Sequence, residues 1–251
     1  MLSKNQAKNI RALQRKKTRR ETGLFLVEGE KIVAELLAST WNIHSLYATT
    51  TFLAAHQALV LARNIPVVEC SAKALTAAGS LVTNNAAIAV AHQAATTHQT
   101  PSANAWTLAL DDINDPGNLG SLLRIADWYG IEQLVCSPTT VDLYNPKVIN
   151  ASKGSFLRVP VQQLPLSEYF QHLPSGSNIY GAYLDGQSIH QLAPSNSGGV
   201  ILLGSEAHGI NAALSDYVTH KITIPAFGAA ESLNVAVAAA IICDNIKRLH
   251  P

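Results

Sequence analysis

Short apolar runs alternate with amphipathic segments from residue 21 onward. Runs rich in β-branched and aromatic residues predict strands, whereas apolar residues spaced three or four positions apart predict helices. The predicted strands of the first third are FLVEG, IHSLYAT, PVVEC and AAIAVAHQ. The predicted helices are EKIVAELLAS, TFLAAHQALVLARN and AKALTAAGSL. This alternation predicts a layered α/β domain over residues 21–93.

A polar segment, ATTHQTPSANA at residues 94–104, is typical of an interdomain linker. After it the alternation resumes over residues 105–251. The predicted strands there are WTLALDDI, EQLVCS, RVPVQQL, NIYGAYLD, GVILLGSE and KITIP. The predicted helices are NLGSLLRIADWYG, NPKVINASKGS, PLSEYFQHL and SLNVAVAAAIICDNIKRL. We therefore predict a second and larger α/β domain.

Charge is distributed unevenly along the chain. The whole sequence carries a formal charge of +1, but residues 1–20 contain eight Lys and Arg and no acid, which leaves −7 for the remainder. A basic arm on an acidic body favours a polyanionic partner. A solvated tail and an organelle transit peptide are the alternatives, although transit peptides are usually richer in Ser than this segment.

Composition favours a cytosolic globular protein. Hydrophobic residues make up 47% of the chain and charged residues 14%, so a sizeable core can form. Cys70, Cys136 and Cys243 lie far apart, and the sequence shows no signal peptide, so we expect reduced thiols in the cytoplasm. The longest apolar run, VAVAAAIIC, is too short to span a bilayer.

Several common signatures are absent from the sequence. It has no GxGxxG, no P-loop, no HExxH and no GxSxG motif. A dinucleotide-dependent oxidoreductase therefore has no support. The histidines do not recur at the spacings of metal ligands, so no metal site is predicted.

Three polar clusters follow predicted strands, where α/β proteins place their ligand sites. In the first, DDINDPGNLGSLLRIAD, Asn118 is a candidate N-cap, and Arg124 interrupts an apolar helix face. An arginine there needs a partner, which is either a functional carboxylate or phosphate or a structural acid such as Asp127. In the second, VILLGSEAHGI, glycines surround Glu206, which is a candidate partner of Arg124.

The third cluster is ITIPAFGAAESLNVAVAAAI, in which Ser232 and Asn234 stand at the start of a helix. Ser232 is the candidate N-cap, and Asn234 falls in the first turn. Each cluster alone is explained by turns and caps. Three of them at strand ends in one domain predict a single composite site.

At these motifs the C-terminal domain resembles the SpoU/TrmH family of S-adenosylmethionine-dependent RNA 2′-O-ribose methyltransferases, in the SPOUT superfamily. The resemblance covers roughly residues 105–249, with NDPGNLGSLLRIADWYG, ILLGSEAHGI and ITIPAFGAAESLNVAVAAAI in the family's order. From NIRALQRKKTRR to about residue 95, the chain is similar to the family's ribosomal-protein-like substrate-binding domain. The basic segment belongs to that pattern, which counts against a transit peptide.

The resemblance implies a fold, a cofactor and an assembly. The C-terminal domain is expected to contain a deep trefoil knot around a parallel sheet, and to form a homodimer through its last helix. S-adenosylmethionine is the expected cofactor, and Ala182 to Leu184 are expected to border it. The backbone positions expected to hold the cofactor are Gly204, Ile224 and Leu233. The basic residues expected to contact RNA are Arg11, Arg15, Lys16, Lys17, Arg19 and Arg20.

The resemblance also implies catalytic positions at Asn118, Arg124, Glu206, Ser232 and Asn234. Arg124 is expected to stabilise the developing 2′-oxyanion, with Glu206 orienting it. Asn118 is expected to position ribose or phosphate, while Ser232 and Asn234 fix the cofactor tail and the loop. Ribosomal RNA is the favoured substrate. Transfer RNA, and a non-catalytic RNA-binding or ribosome-assembly role, are the alternatives.

Overall fold

The computed structural model describes residues 1–94, 101–102, 104–193 and 197–249. The chain divides into two compact units: Met1–Ala95 with Asp142–Leu157, and Thr96–Val141 with Arg158–Pro251. Most of the predicted linker lies outside the described residues. The division differs from the predicted boundaries because residues 142–157 return to the first unit.

The first unit contains a four-stranded sheet and short helices. Its strands are β1 (Leu24–Glu28), β2 (Ile43–Ala48), β3 (Val67–Glu69) and β4 (Ala87–His92). Its helices are α1 (Lys4–Ala12), α2 (Lys16–Thr22), α3 (Glu30–Ala38), α4 (Thr50–Ala55), α5 (Gln57–Leu61), α6 (Ala72–Ala78) and α8 (Pro146–Ser152). The sheet order is β1-β4-β2-β3, in which β4 is antiparallel to both neighbours and β3 is parallel to β2.

All predicted strands of this unit form, but the single helix predicted before Pro66 does not. Two short helices, α4 and α5, replace it because the backbone leaves the helical region at His56 (φ −117°, ψ 26°). The break accompanies the burial of Phe52, whose ring packs against the His56 ring with centroids 4.5 Å apart.

Aromatic contacts explain why residues 142–157 belong to the first unit. Phe25 of β1 is fully buried, and its ring lies 4.7 Å from that of Tyr144 and 5.9 Å from that of Phe156. Trp41 adds a hydrogen bond from Nε1 to the Leu157 carbonyl at 3.3 Å. Aromatic pairs at such distances contribute beyond simple burial of area.

The basic segment at residues 1–20 is folded as helices rather than as an extended arm. Ser3 and Gln6 form a capping box at the start of α1. Arg11 Nε and Gln14 Nε2 donate to the carbonyls of Ala77 and Gly79, both at 2.9 Å. These bonds satisfy carbonyls at the end of α6, which lack partners within that helix.

Arg19 is the one predicted RNA contact that this structure buries. Its side chain is 2% exposed, and it donates to Asp142 through Nε at 3.0 Å and to the Leu13 and Gln14 carbonyls, both at 2.9 Å. The guanidinium is therefore fully engaged inside the first unit. The remaining predicted RNA contacts are exposed: Arg11, Arg15, Lys16, Lys17 and Arg20.

The second unit is built on a six-stranded sheet in which every pairing is parallel. Its strands are β5 (Trp106–Leu110), β6 (Gln133–Cys136), β7 (Val161–Gln163), β8 (Ile179–Ser188), β9 (Gly199–Leu203) and β10 (His220–Thr223). Its helices are α7 (Pro116–Trp128), α9 (Leu166–Gln171) and α10 (Val235–Leu249). The predicted parallel-sheet α/β core is confirmed.

The sheet order β10-β8-β9-β5-β6-β7 places β5 between β9 and β6. Every residue of β5 and β6 is buried. Parallel strands covered on both faces read as continuous apolar runs, which explains why these segments were recognisable in the sequence. Among the described residues, no helix has both the length and the apolar character needed to cross a membrane.

Arg19 provides a test of the first unit. We expect Arg19→Met to lower the free energy of unfolding by roughly 3–5 kcal/mol, because it leaves the partly buried Asp142 carboxylate without its partner. Lys17→Met is the control, since Lys17 pairs with Glu21 at 3.9 Å in an exposed i,i+4 contact and should change stability by less than about 1 kcal/mol. Urea denaturation measures both, and equal losses would contradict the buried-pair interpretation.

Candidate active site

Three side chains from the three polar clusters meet at the carboxyl edge of the large sheet. Asn118 lies in the first turn of α7, Glu206 follows β9, and Asn234 precedes α10. Asn118 Nδ2 donates to Glu206 Oε1 at 3.0 Å, and Asn234 Nδ2 donates to the same oxygen at 2.8 Å. Asn234 Nδ2 also donates to Asn118 Oδ1 at 2.9 Å. The three side chains thus form a closed hydrogen-bonded ring.

The two oxygens of Glu206 have different environments. Oε1 accepts both asparagine amides and a longer bond from the Val235 backbone N–H at 3.5 Å. Oε2 has no hydrogen-bond partner among the described residues, and the side chain is exposed. A carboxylate held through one oxygen leaves the other oriented toward solvent and able to accept a proton or a hydrogen bond.

The helix α7 is capped by Asp115, so the prediction that Asn118 is the N-cap is wrong. Asp115 Oδ1 accepts the backbone N–H of Asn118 at 2.9 Å, and Pro116 occupies the first helical position. Proline suits that position because its missing N–H would be unpaired there anyway. The Asn118 backbone N–H is thus satisfied by Asp115, while the Asn118 side-chain amide binds Glu206.

The helix α10 is capped by Asn234, so the prediction that Ser232 caps it is also wrong. Asn234 Oδ1 accepts the backbone N–H groups of Ala236 at 3.0 Å and Val237 at 3.4 Å. Its Nδ2 remains available for the ring with Glu206. Ser232 is exposed and makes no hydrogen bond among the described residues.

Glu206 is carried on a tight loop that follows β9. Ser205 and Gly209 exchange two backbone hydrogen bonds, at 3.0 and 2.9 Å, and Gly209 has φ +68°. A Cβ atom at Gly204 would collide with the backbone of Gly209 and Ile210. The glycine at 204 is therefore required by the chain's own packing, whatever ligand it also contacts.

Asp111 is a buried acid beside this loop that the sequence analysis did not select. It is 7% exposed, and its Oδ2 accepts the backbone N–H of Asn211 at 2.8 Å. Burial raises the pKa of Asp111 and the nearby Asp112 adds to the rise, while the bond from Asn211 partly offsets it. The sequence feature that could have identified Asp111 is the pair of adjacent acids, Asp111 and Asp112, at the end of β5.

Arg124 does not join the ring. Six residues of α-helix turn its side chain about 120° around the axis from Asn118. Arg124 is exposed and makes no hydrogen bond or ion pair among the described residues. The predicted partner Glu206 binds the two asparagines instead, and the alternative partner Asp127 pairs with Arg158 at 2.8 Å. The expectation that Glu206 orients Arg124 within one chain is therefore wrong.

A cavity of about 290 Å³ opens beside Glu206. Its walls come from the end of β5, the start of α7 and the loop after β9. The lining residues are Asp112, Ile113, Asn114, Asp115, Asn118, Ser205, Glu206, Ala207, His208 and Val235. Asp112 has φ +57°, an uncommon conformation for a residue other than glycine, and its carboxylate accepts Asn114 Nδ2 at 3.0 Å.

The predicted cofactor positions follow β9 and β10 or precede α10. Ile224 is half-buried, whereas Leu233 is 46% exposed. The predicted bordering segment, Ala182 to Leu184, lies in an irregularity of β8, because β8 pairs with β10 at Gly181 and again only at Gln187. Leu184 is 76% exposed, and Phe227, in the loop after β10, is 96% exposed.

Comparisons with known proteins identify the class of the molecule. Residues 105–244 match the SpoU rRNA Methylase family, and residues 4–89 match the MRM3-like substrate binding domain. Both matches agree with the resemblances found at the motifs. The class is therefore an RNA methyltransferase with an attached substrate-binding domain. The chain belongs to the SpoU rRNA methylase family.

Relatives match along almost the whole chain. The 23S rRNA (guanosine(2553)-2′-O)-methyltransferase RlmP of Bacillus subtilis is 32% identical over 247 residues, covering 98% of this chain and 97% of the relative. A TrmH-family structure from Porphyromonas gingivalis is 35% identical with a TM-score of 0.84, covering 99% of both chains. An AdoMet-bound rRNA methyltransferase from Sinorhizobium meliloti is 27% identical with a TM-score of 0.88, covering 99% of this chain and 96% of that one.

Proposed function

We propose that this protein transfers a methyl group from S-adenosylmethionine to the 2′-oxygen of a ribose in ribosomal RNA. The observation that carries the proposal is the ring of Asn118, Glu206 and Asn234, which joins one side chain from each family motif. The names of the relatives from B. subtilis and S. meliloti support ribosomal RNA as the substrate.

The residues at the sheet edge suit S-adenosylmethionine, which supplies a methyl group activated by a positive sulfur. Leu184 lies within β8, Phe227 follows β10 and Leu233 precedes α10, and each presents an apolar side chain to solvent. Exposed apolar side chains suit contact with a planar base. Backbone groups at Gly204, Ile224 and Leu233 would bind its polar edge, and Ser232 would bind the cofactor tail.

Glu206 is the proton acceptor in this proposal. A neutral 2′-hydroxyl is a poor nucleophile, so its proton must leave as the oxygen–carbon bond forms and the carbon–sulfur bond breaks with its electron pair going to sulfur. Oε1 of Glu206 is occupied by Asn118 and Asn234, which leaves Oε2 to accept the proton. The asparagines fix the carboxylate and thereby supply orientation.

Arg124 acts on a different side of α7 from this ring. Its exposed guanidinium suits an RNA phosphate or the developing charge on the 2′-oxygen. It does not suit the role of proton acceptor, because a guanidinium carries only N–H donors and no acceptor atom. We therefore keep Arg124 as an electrostatic residue.

A homodimer through the second unit is part of the proposal. Trp128 on α7 is 83% exposed and Val237 on α10 is 48% exposed, and these two helices pack against each other. Exposed apolar side chains on two adjacent helices favour a protein partner. Arg124 precedes Trp128 by one helical turn, so the same face that supports dimerisation brings Arg124 toward a second copy.

The trefoil knot remains a prediction from the family resemblance, and the cytoplasmic location remains a prediction from the composition of the sequence. Neither is needed for the chemistry proposed for Glu206. The exposed basic residues of α1 and α2 are proposed to bind RNA phosphates, with Arg19 removed from that set because its guanidinium is buried.

Methyl transfer by Glu206→Gln tests the proposed chemistry. The glutamine keeps an oxygen for Asn118 and Asn234 but offers an amide where the proton must go, so we expect transfer to fall about 10²–10⁴-fold with cofactor affinity preserved. The measurement uses labelled S-adenosylmethionine with ribosomal RNA lacking the modification, and calorimetry for the cofactor. Glu231→Gln is the control, since Glu231 is exposed and makes no hydrogen bond among the described residues.

An active Glu206→Gln protein would refute Glu206 as the acceptor. Failure of the wild-type protein to methylate any RNA would instead favour the non-catalytic alternative. Mapping 2′-O-methyl sites in cellular RNA with and without the gene separates ribosomal from transfer RNA.

The proposal that the exposed basic residues at the start of the chain bind RNA is tested by the salt dependence of RNA binding. Lys16, Lys17 and Arg20 are called the basic cluster here. Each phosphate contact contributes about 0.7–0.9 to the slope of log K against log salt, so replacing Lys16, Lys17 and Arg20 with Gln should reduce the slope by about 2–3. Lys31→Gln is the control, because Lys31 is an exposed lysine on α3 outside the cluster. An unchanged slope in the triple variant would show that the cluster does not bind RNA.

The proposed dimer is tested by placing a charge on its apolar face. Trp128→Glu should shift the protein to monomers in sedimentation velocity, since an unpaired carboxylate would be buried at the interface. Leu61→Glu, at a residue 73% exposed in the first unit, should leave the mass unchanged. A monomeric wild-type protein, or a dimeric Trp128→Glu variant, would exclude this face as the interface.

A further inference from the structure

We infer that Asp111 is a positioning residue that holds the Glu206 loop in register with Asn118 and Asn234. The inference rests on the proposed function of Glu206. It assigns a separate task to a side chain that has no hydrogen bond to the ring itself.

Asp111 binds the Glu206 loop at both of its ends. Its backbone N–H donates to the carbonyl of Leu203, the last residue of β9, at 2.8 Å. Its carboxylate Oδ2 accepts the backbone N–H of Asn211, also at 2.8 Å. One residue therefore fixes where the chain leaves the sheet and where the loop rejoins the 3₁₀ helix Ala212–Tyr217.

The loop between these anchors is rigid by its own bonds. Besides the paired backbone bonds of Ser205 and Gly209, the His208 N–H donates to Ser205 Oγ at 3.2 Å. Gly204 packs so closely against Gly209 and Ile210 that a Cβ atom at Gly204 would collide with their backbone. A loop of this kind moves as one piece, so a shift at Asn211 is transmitted to Glu206.

Asp111 also lies at the start of the segment that leads from β5 to Asn118. The chain turns immediately after it, with Asp112 in the left-handed region and its N–H bonded to Ser137 Oγ at 2.9 Å. Asp115, four residues later, caps α7 through the N–H of Asn118. The end of β5 therefore helps to position both the Glu206 carboxylate and the Asn118 amide.

A purely packing role suits Asp111 poorly. A carboxylate that is 7% exposed is costly to bury, and an apolar residue would fill the same space without that cost. What the carboxylate provides in addition is an acceptor of fixed position for the Asn211 N–H. Misplacing a catalytic group by about 1 Å costs about 100-fold in rate, so such an anchor has a direct effect on catalysis.

Variants at both ends of the bond test the inference. Asp111→Ala removes the acceptor, and Asp111→Asn retains one. Asn211→Pro removes the donor, with a φ of −57° at Asn211 that proline can adopt. Asn211→Ala is its matched control, because it also loses the side-chain cap of the 3₁₀ helix but keeps the N–H. Gln162→Ala controls for general damage, since Gln162 is 4% exposed and bonds to Gln133 in a buried network away from the loop.

We expect kcat for RNA methylation to fall about 10–100-fold in Asp111→Ala and in Asn211→Pro, with KM for RNA unchanged. Asp111→Asn and Asn211→Ala should keep most of the wild-type kcat. The double variant Asp111→Ala/Asn211→Pro should be no slower than the slower single variant, because both remove the same bond. Gln162→Ala should lower the thermal midpoint while kcat, measured well below that midpoint, is retained.

Wild-type kcat in Asp111→Ala, or losses that add in the double variant, would overturn the inference while leaving the proposed function intact. An inactive wild-type protein would overturn the proposed function instead. If Asp111→Ala does not fold, hydrogen exchange of the wild-type protein decides. Slow exchange of the Asn211 amide is expected, and its complete exchange within seconds would exclude the anchor.

Discussion

A single carboxylate oxygen organises the candidate active site. Oε1 of Glu206 receives the side-chain amides of Asn118 and Asn234 and the weaker backbone N–H of Val235. An oxygen shared by several donors links the loop after β9 to the starts of α7 and α10. The parallel sheet makes this possible, because the carboxyl ends of neighbouring strands open on the same edge. The second oxygen is left for chemistry.

The sequence predicted that a site lies at these strand ends, but it did not predict correctly which hydrogen bonds and helix caps its residues form. All three clusters and their location at strand ends followed from apolar runs that end in polar, glycine-containing loops, and each contributes one member of the ring. The caps were assigned to the wrong residues because each loop offers more than one. Asp115 and Asn118 are both good caps, as are Ser232 and Asn234, and local propensity does not choose between them. The tertiary structure makes the choice: Asp115 accepts the N–H of Asn118, and Asn234 accepts those of Ala236 and Val237.

Long-range pairing accounts for the other differences. Arg19 looks like its basic neighbours in sequence, yet it is buried against Asp142, 123 residues away. Likewise, α8 begins at Pro146 but packs on β1 in the first unit, whose main segment ends at Ala95. Arg124 and Glu206 are a plausible ion pair by charge, but a six-residue step along a helix turns Arg124 away from the ring. Local sequence patterns do not show which distant residues will become partners.

The sequence by itself determined the α/β class, the parallel core of the second unit, the family, and the three segments that supply the site. These follow from hydrophobic periodicity and from motif order, which are properties of short stretches of chain. The tertiary structure decided that Asp115 and Asn234 are the helix caps and that one oxygen of Glu206 is occupied while the other is open. It also decided that Asp111 bonds to both ends of the loop that carries Glu206. Each of these depends on hydrogen bonds between strands and loops distant in sequence, where geometry selects among residues of equal local propensity.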